Sequence, residues 1–193
     1  MTTTIAIRLT LISAIALFGS ASATAQSTTT NKTPDVVYVP TPHSTVEKML
    51  ELAEIKPGDV VYDLGCGDGR ILVAAAKKYG VKAVGFDIDP ERIKESMENV
   101  RTNKVEHLVT IKQQDIFTLD LSEASVITLY LLPRLNVQLI PQLEKMKPGS
   151  RIVSQSFDME GVVPVITTND GSRTLYKWVT PLKKEAVTRA SAK

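Results

Sequence analysis

The sequence predicts an α/β domain with a doubly wound, mainly parallel seven-stranded sheet that ends in an antiparallel C-terminal hairpin. Three observations support this fold class. Short apolar runs typical of buried strands alternate with helical segments over residues 60–154. A glycine-rich turn follows the first of these strands directly. Near the C-terminus, the runs Val162–Thr167 and Thr174–Val179 flank Asn169-Asp170-Gly171, which is a typical hairpin turn.

The elements of this domain follow one another with short connections. The predicted parallel strands are Val60–Leu64, Ala83–Phe86, Leu108–Lys112, Ala124–Leu132 and Arg151–Ser154. The predicted helices begin at Ser44, with a capping box over Ser44–Glu47, and then cover Ile71–Tyr79, Pro90–Val100 and Val137–Met146. Gly80 is expected to end the second helix and Pro90 to begin the third.

The two chain ends differ in composition from this domain. The apolar run Leu9–Phe18 precedes Ala23-Thr24-Ala25, a small-x-small cleavage motif, so residues 1–25 are predicted to be a signal peptide. The protein is then expected to be exported, either periplasmic or secreted, with no transmembrane segment in the mature chain. A mispredicted start codon, which would leave the protein cytoplasmic, and an uncleaved anchor are the alternatives. Residues 26–35 are predicted to be a linker, 36–182 the domain and 183–193 a flexible tail.

Composition excludes several classes of function. The chain has 193 residues, which suits one domain, and its net charge of +2 does not indicate strong nucleic-acid binding. The single cysteine, Cys66, excludes an intramolecular disulfide, and it is interpreted as a small side chain that fits its turn. His43 and His107 lie too far apart to have metal-ligand spacing, so no metal site is expected.

The glycine-rich turn carries the main functional signal. It reads Asp-Leu-Gly-Cys-Gly-Asp-Gly-Arg from Asp63 to Arg70. Gly65 and Gly67 allow backbone N–H groups to approach a ligand closely. Asp87 ends the next predicted strand, where a carboxylate can accept hydrogen bonds from both hydroxyls of a ribose.

A dinucleotide site is the first alternative for this turn. Its fingerprint is Gly-x-Gly-x-x-Gly/Ala, but here the third glycine comes one residue early and Arg70 takes the place of the small residue. Asp63 also precedes the glycines, and a carboxylate there suits a ligand with an ammonium group better than a pyrophosphate. Both observations favour a nucleoside that carries an amino-acid tail.

Several segments resemble one known family. The run Val60–Arg70 resembles motif I of the class I, seven-strand, Rossmann-like methyltransferases that depend on S-adenosyl-L-methionine, and Gly85–Asp89 resembles their ribose-binding motif. Further segments resemble the small archaeal protein-lysine methyltransferases and their mitochondrial relatives. These segments are Tyr38–Pro42, Val126–Leu132 with Asn136, and Arg151–Ser154.

The resemblance implies a set of cofactor contacts around the glycine turn. Asp63 would meet the methionine amino group, and Gly65 and Gly67 would pass under the methionyl and ribose parts. Asp87 would hold the ribose hydroxyls, and Ile88 would pack on the adenine.

Four further residues have implied roles with a simpler alternative beside each. Asp115 would accept a hydrogen bond from the adenine amino group, or be an ordinary loop carboxylate. Tyr38 and Thr41 would close over the cofactor, although Tyr38 is also explained by packing of its segment. Tyr130 would orient the methyl acceptor, or pack in the core with its hydroxyl at the rim.

The acceptor itself is left open by two departures and one absence. Gln155 stands where the family often has His, and Tyr130 where the archaeal enzymes have Phe. Leu131–Arg134 stands where enzymes that methylate nucleic-acid amines have Asn/Asp-Pro-Pro-Tyr. The hypotheses are a protein-lysine N-methyltransferase, a methyltransferase of the same fold that acts on a small molecule, and an exported cofactor-binding module without catalysis.

Overall fold

The computed structural model describes Thr33 and residues 36–186. The predicted signal peptide, all of the predicted linker except Thr33, and residues 187–193 lie outside the described residues. Among the described residues, no helix combines the length and the apolar character that crossing a membrane requires.

Seven strands, four helices and one short 3-10 helix make up the described chain. The strands are β1 (Val60–Leu64), β2 (Lys82–Asp87), β3 (Val109–Gln113), β4 (Val126–Leu129), β5 (Arg151–Gln155), β6 (Ile166–Asn169) and β7 (Thr174–Val179). The helices are α1 (His43–Leu52), α2 (Arg70–Tyr79), α3 (Pro90–Thr102) and α4 (Pro133–Leu143), and the 3-10 helix is Ile116–Thr118.

All seven strands form one sheet in the order β3-β2-β1-β4-β5-β7-β6. The first five strands pair in parallel, whereas β7 pairs antiparallel with both β5 and β6. The strand order reverses between β1 and β4, which is the place where ligands bind in open α/β sheets. The predicted fold class is confirmed.

Alternate residues of each strand supply two separate cores. Val61 and Val126 point to one face, where they pack with α1, α2 and the end of α3. Tyr62 and Ile127 point to the other face, where they pack with α4. Because both faces are covered, the central strands are nearly all apolar, as a parallel sheet requires.

The region around β4 and α4 differs from its prediction. β4 ends at Leu129 instead of Leu132, and α4 begins at Pro133 and ends at Leu143 instead of covering Val137–Met146. The cause is Pro133, since the residue before a proline is held in extended backbone while the proline favours the first helical position. Leu132 accordingly has φ −58 and ψ 150 as the N-cap.

The predicted capping box of α1 is wrong. The N-cap is Pro42, and no side chain caps the helix. The Thr45 hydroxyl instead donates to Asp170 Oδ2 at 2.5 Å, so a contact with the β6–β7 turn replaces the local one.

The C-terminal hairpin and the tail also differ in their bounds. The predicted strand Val162–Thr167 is displaced to Ile166–Asn169, because Val162 forms an isolated bridge with Lys184. Val163 N donates to Lys183 O at 2.8 Å, and Glu185 N donates to Gly161 O at 3.0 Å. The boundary of the tail predicted at residue 183 is therefore too early.

Candidate functional site

A cavity of ≈ 270 Å³ lies at the carboxyl ends of the parallel strands, where the strand order reverses. Its volume is close to the lower end of the range for small-molecule sites, about 300 Å³. Eight of the nine residues singled out in the sequence line it, namely Tyr38, Thr41, Asp63, Gly65, Asp87, Ile88, Asp115 and Tyr130. The ninth, Gly67, lies beneath the ring of Tyr38.

The glycine turn wraps the end of β1 because its glycines adopt left-handed backbone. Gly65, Gly67 and Gly69 have φ of 83°, 53° and 75°, a region that other residues adopt only with strain. Gly65 N and Cys66 N both donate to Phe86 O, at 2.8 and 2.9 Å, which ties the turn to β2. The turn is thus fixed by the backbone of the neighbouring strand.

Two of these glycines also leave room that a side chain would fill. A Cβ on Gly65 would lie 3.0 Å from Leu131 Cδ2, and a Cβ on Gly67 would lie 2.3 Å from Tyr38 Cε2. The second distance is far inside van der Waals contact. The path between the glycine turn and the residues above it is therefore open only because these positions lack side chains.

Asp63 is a buried carboxylate with an unusual environment. The residue is 3 % exposed, and Asp63 Oδ1 accepts a hydrogen bond from the Thr128 hydroxyl at 2.7 Å. Within the described residues no basic side chain forms an ion pair with it. Burial raises the pKa of the Asp63 carboxyl to about 7, against the effect of the Thr128 bond and with a contribution from nearby Asp87. Such a site favours a cationic ligand, because a cation would stabilise the ionised form.

Asp87 is held in place at the end of β2 by backbone donors. Gly67 N donates to Asp87 Oδ2 at 2.9 Å, and Asp89 N donates to Asp87 Oδ1 at 3.0 Å. Burial raises the pKa of the Asp87 carboxyl, while these backbone bonds oppose the rise. The carboxylate lines the cavity in a fixed orientation, which suits recognition of a pair of hydroxyl groups.

The segment Val36–Thr41, here called the strap, crosses the glycine turn. The Tyr38 ring lies over Gly67, and the Arg92 guanidinium lies 4.8 Å from the centroid of that ring. The strap contributes both Tyr38 and Thr41 to the cavity, as predicted, while Val37 is 87 % exposed at its rim.

Arg70 fastens the strap, a role that the sequence did not predict. Arg70 Nη1 donates to Thr41 O at 2.8 Å, and Arg70 Nη2 forms an ion pair with Asp68 Oδ2 at 2.6 Å. The available signal was Arg70 itself, because it stands where the dinucleotide fingerprint requires a small residue.

One end of the cavity is flanked by Ile88 and by the segment that follows β3. Gln113 Nε2 donates to Ile88 O at 3.1 Å, which fixes the backbone there. Asp115 caps the 3-10 helix, since its Oδ1 accepts from Phe117 N at 3.0 Å. Ile116 and Phe117 line the cavity beside these residues and give this end a flat, apolar surface.

The other end is an apolar opening, here called the port, formed by Tyr130, Leu131, Leu132 and Phe157. The rings of Tyr130 and Phe157 stack with centroids 6.1 Å apart and an interplanar angle of 17°. Leu132 is 40 % exposed at the edge. Phe157 was not predicted, because its position depends on the loop after β5 and not on a local motif.

Two buried residues near the site have contrasting environments. Gln155 is 0 % exposed, and neither atom of its side-chain amide has a hydrogen-bond partner among the described residues. Cys66 is buried, and this burial raises the pKa of its thiol well above the ordinary value. A Cβ on Gly85 would lie 2.8 Å from Cys66 Sγ, so the thiol fills a space left by that glycine.

Metal chemistry has no visible support in the part of the chain that the structure describes. There, no three His, Cys, Asp or Glu side chains cluster closely enough to hold a metal ion. The polar groups of the cavity are instead two carboxylates and the backbone of a glycine turn.

Comparison with known proteins identifies this arrangement. The family model described as the ANTKMT methyltransferase domain matches residues 63–166, which is more than half of the chain. The chain belongs to this family. The match begins at Asp63, the buried carboxylate of the cavity, and includes the glycine turn, Asp87 and Tyr130.

Relatives of this methyltransferase include curated proteins and a solved structure. The protein-lysine N-methyltransferase of Saccharolobus islandicus is 47% identical over 152 residues, or 76% of this chain and 94% of that protein. A lysine N-methyltransferase of Xenopus laevis, named for a component of ATP synthase, is 28% identical, and the match covers 73% of this chain and 62% of that longer protein. An RNA methyltransferase from Salinibacter ruber, solved with S-adenosyl-L-homocysteine, is 44% identical with a TM-score of 0.72, and covers 77% of this chain and 96% of that one.

The protein is a methyltransferase that depends on S-adenosyl-L-methionine. Its cavity fits that cofactor. The glycine turn offers a path that side chains would close, and Asp63 offers a buried carboxylate without a cation of its own. The predicted family, enzyme class and cofactor are confirmed.

Proposed function

We propose that this methyltransferase N-methylates lysine side chains of proteins. The observation that carries the proposal is the 47% identity to an archaeal protein-lysine N-methyltransferase over 94% of that protein's length. The port supports it, since Tyr130, Leu131, Leu132 and Phe157 offer a narrow apolar opening suited to the aliphatic stem of lysine.

We propose that the cofactor lies along the carboxyl ends of β1 and β2. Asp63 then accepts hydrogen bonds from the methionine ammonium, and Asp87 accepts from the ribose hydroxyls. Gly65 and Gly67 allow the cofactor to pass close to the backbone. Ile88 packs on the adenine. Each role is supported by the place of the residue in the cavity or beside it.

The strap and the 3-10 helix complete the proposed cofactor site. Tyr38 and Thr41 cover the cofactor from the strap, which Arg70 fastens across the turn. Asp115, at the start of the 3-10 helix, accepts from the adenine amino group. The bond from Phe117 N to Asp115 holds the carboxylate at the cavity wall in the orientation that this role needs.

The reaction asks little acid–base chemistry of the protein. The bound cofactor supplies a methyl group that its sulfonium already activates. The lysine ammonium, with an ordinary pKa near 10.4, must lose a proton to solvent before its nitrogen can attack. The apolar port favours this loss because it disfavours the charged form. Tyr130, at the inner side of the port, orients the amine toward the methyl group.

RNA is the alternative acceptor with a specific observation in its favour, because the Salinibacter ruber relative is an RNA methyltransferase that is 44% identical. Against it stand the small net charge of +2 and the apolar port, which lacks the polar groups that a nucleobase edge requires. A small-molecule acceptor fits the same fold.

Transfer of labelled methyl groups tests the proposal. The purified protein is incubated with methyl-labelled S-adenosyl-L-methionine and a bacterial lysate whose protein, RNA and small-molecule fractions are then separated. We expect the label in protein, on lysine residues located by mass spectrometry, and no transfer by the Asp63→Ala variant. Label confined to RNA or to small molecules contradicts the lysine proposal. Cofactor binding by calorimetry without transfer to any fraction supports a binding module instead.

We further propose that the protein is exported after cleavage near Ala25. The support is the apolar run Leu9–Phe18 followed by Ala23-Thr24-Ala25. Cell fractionation and sequencing of the mature N-terminus test this. A cytosolic protein that begins at Met1 would contradict it.

A further inference from the structure

The loop that follows β5 bends back sharply toward the port. Ser156 has φ of 64°, a left-handed conformation that side-chain-bearing residues rarely adopt. Phe157 N donates to Gln155 O at 2.7 Å, which closes a turn of three residues. This bend is what brings the Phe157 ring back onto Tyr130. A conformation of this kind persists only where surrounding contacts hold it.

Two buried side chains from different elements hold the bend by the same carbonyl. The Ser154 hydroxyl, at the end of β5, donates to Phe157 O at 2.6 Å. Asn136 Nδ2, in the first turn of α4, donates to Phe157 O at 3.3 Å and to Asp158 O at 2.9 Å. Both Asn136 and Ser154 are 0 % exposed. We call this pair of side chains the latch.

Asn136 is a poor choice for stability alone. Its Oδ1 is buried and has no hydrogen-bond partner among the described residues. A buried acceptor without a partner costs free energy that an apolar side chain of similar size would not. The bonds that Asn136 donates to the loop after β5 are therefore its evident contribution.

We propose that Asn136 and Ser154 are positioning residues of the transfer reaction, which hold Phe157 against Tyr130 and so set the width of the port. This inference rests on the proposed function, because it assigns the port to the methyl acceptor. Neither residue lines the cavity, so both act through Phe157. Loosening the latch lets the Phe157 ring leave Tyr130, and the acceptor amine is then held less well in line with the methyl group.

The cofactor end is independent of the latch. Asp63 and Asp87 are placed by β1 and β2, and the glycine turn is fixed by Phe86 O. A loosened latch is thus expected to change transfer to the acceptor without changing cofactor affinity. A merely structural role would lower stability and both functions together.

The test compares Asn136→Leu and Ser154→Ala with the control Thr180→Val. The Thr180 hydroxyl accepts from Ser150 N at 3.0 Å and donates to Lys147 O. The control therefore removes a buried hydroxyl next to β5 at its amino end, away from the cavity. The measurements are the melting temperature, the dissociation constant for S-adenosyl-L-methionine, and kcat and KM for a heat-treated lysate protein pool of fixed composition.

We expect kcat/KM for the protein pool to fall about tenfold to about 100-fold in both latch variants. Their cofactor dissociation constants should stay within about twofold of the wild type, because the sites are separate. Thr180→Val should keep the wild-type kcat/KM.

Two results would overturn the inference. One is a wild-type kcat/KM in a folded latch variant, and the other is equal loss of transfer and cofactor affinity. If Asn136→Leu does not fold, Ser154→Ala decides alone, since it removes one hydroxyl and keeps the Asn136 bonds. Failure of the wild type to methylate protein contradicts the proposed function instead, so the two failures are distinguishable.

Discussion

Replacing Asp63 by Asn should make the cofactor-free protein more stable, and increasingly so as the pH rises. Asp63 is buried, and its pKa is raised to about 7 from an ordinary value of 3.8. Between these values the folded state holds a proton that the unfolded chain has lost. Raising the pH through this window therefore lowers the free energy of unfolding, and the loss is complete above about pH 7.

The size of the effect follows from the two pKa values. With about 1.4 kcal/mol for each pH unit, the Asp63 side chain destabilises the fold by about 2 kcal/mol at pH 5 and about 4 kcal/mol at pH 8. The amide of the Asp63→Asn variant would carry no charge and can still accept the hydrogen bond from Thr128. These values are upper bounds on the gain, because the new amide must also be buried.

Urea unfolding of the cofactor-free protein measures the effect at both pH values. We expect the Asp63→Asn variant to exceed the wild type by more at pH 8 than at pH 5, and to have lost cofactor binding. A second variant, Thr128→Val, removes the bond that favours the ionised carboxylate, so the wild-type inflection should move to higher pH. An equal gain at both pH values, or a less stable variant at pH 8, would refute the reasoning.

Three further predictions follow from the same cavity. Gly67→Ala should weaken cofactor affinity at least about tenfold, since its Cβ would lie 2.3 Å from the Tyr38 ring, whereas Gly80→Ala has a similar φ of 66° and no contact within 4 Å, and should keep wild-type affinity in calorimetry. Equal losses in the two variants would assign the effect to backbone strain. Cofactor affinity should weaken about tenfold for each pH unit below about 7, as Asp63 becomes protonated, and a flat profile from pH 5 to 7 would contradict its proposed role. Gln155→Met should raise the free energy of unfolding by about 1 kcal/mol, because it removes two buried polar atoms without partners, and a loss in urea unfolding would show that those atoms have a partner in solution.

The cofactor end of the site could be predicted from the sequence because its determinants are local. β1 has the predicted bounds, Val60–Leu64, and the glycine turn and Asp63 follow from the residues next to it. Asp87 was predictable as well, because parallel neighbouring strands end at the same edge of the sheet. A spacing of 20 residues is enough to place the Asp87 carboxylate on Gly67 N.

The port and its latch depend on contacts that no local pattern contains. Phe157 reaches Tyr130 only through the bend at Ser156, and Asn136 meets the same loop from another helix. The capping box over Ser44–Glu47 failed for the same kind of reason. Its Thr45 hydroxyl bonds to a residue 125 positions away, and a tertiary contact of that kind is invisible to local pattern rules.

The burial of Cys66 has a practical consequence for spectroscopy. The chain has one cysteine, and its thiol is buried in a protonated state, so thiol-reactive dyes should not label the native protein. A cysteine introduced at exposed Met97 on α3 would then be the single labelled position without removing Cys66. A fluorophore there lies on an element next to the strap and its Arg92, which suits it to follow movements of the strap in real time.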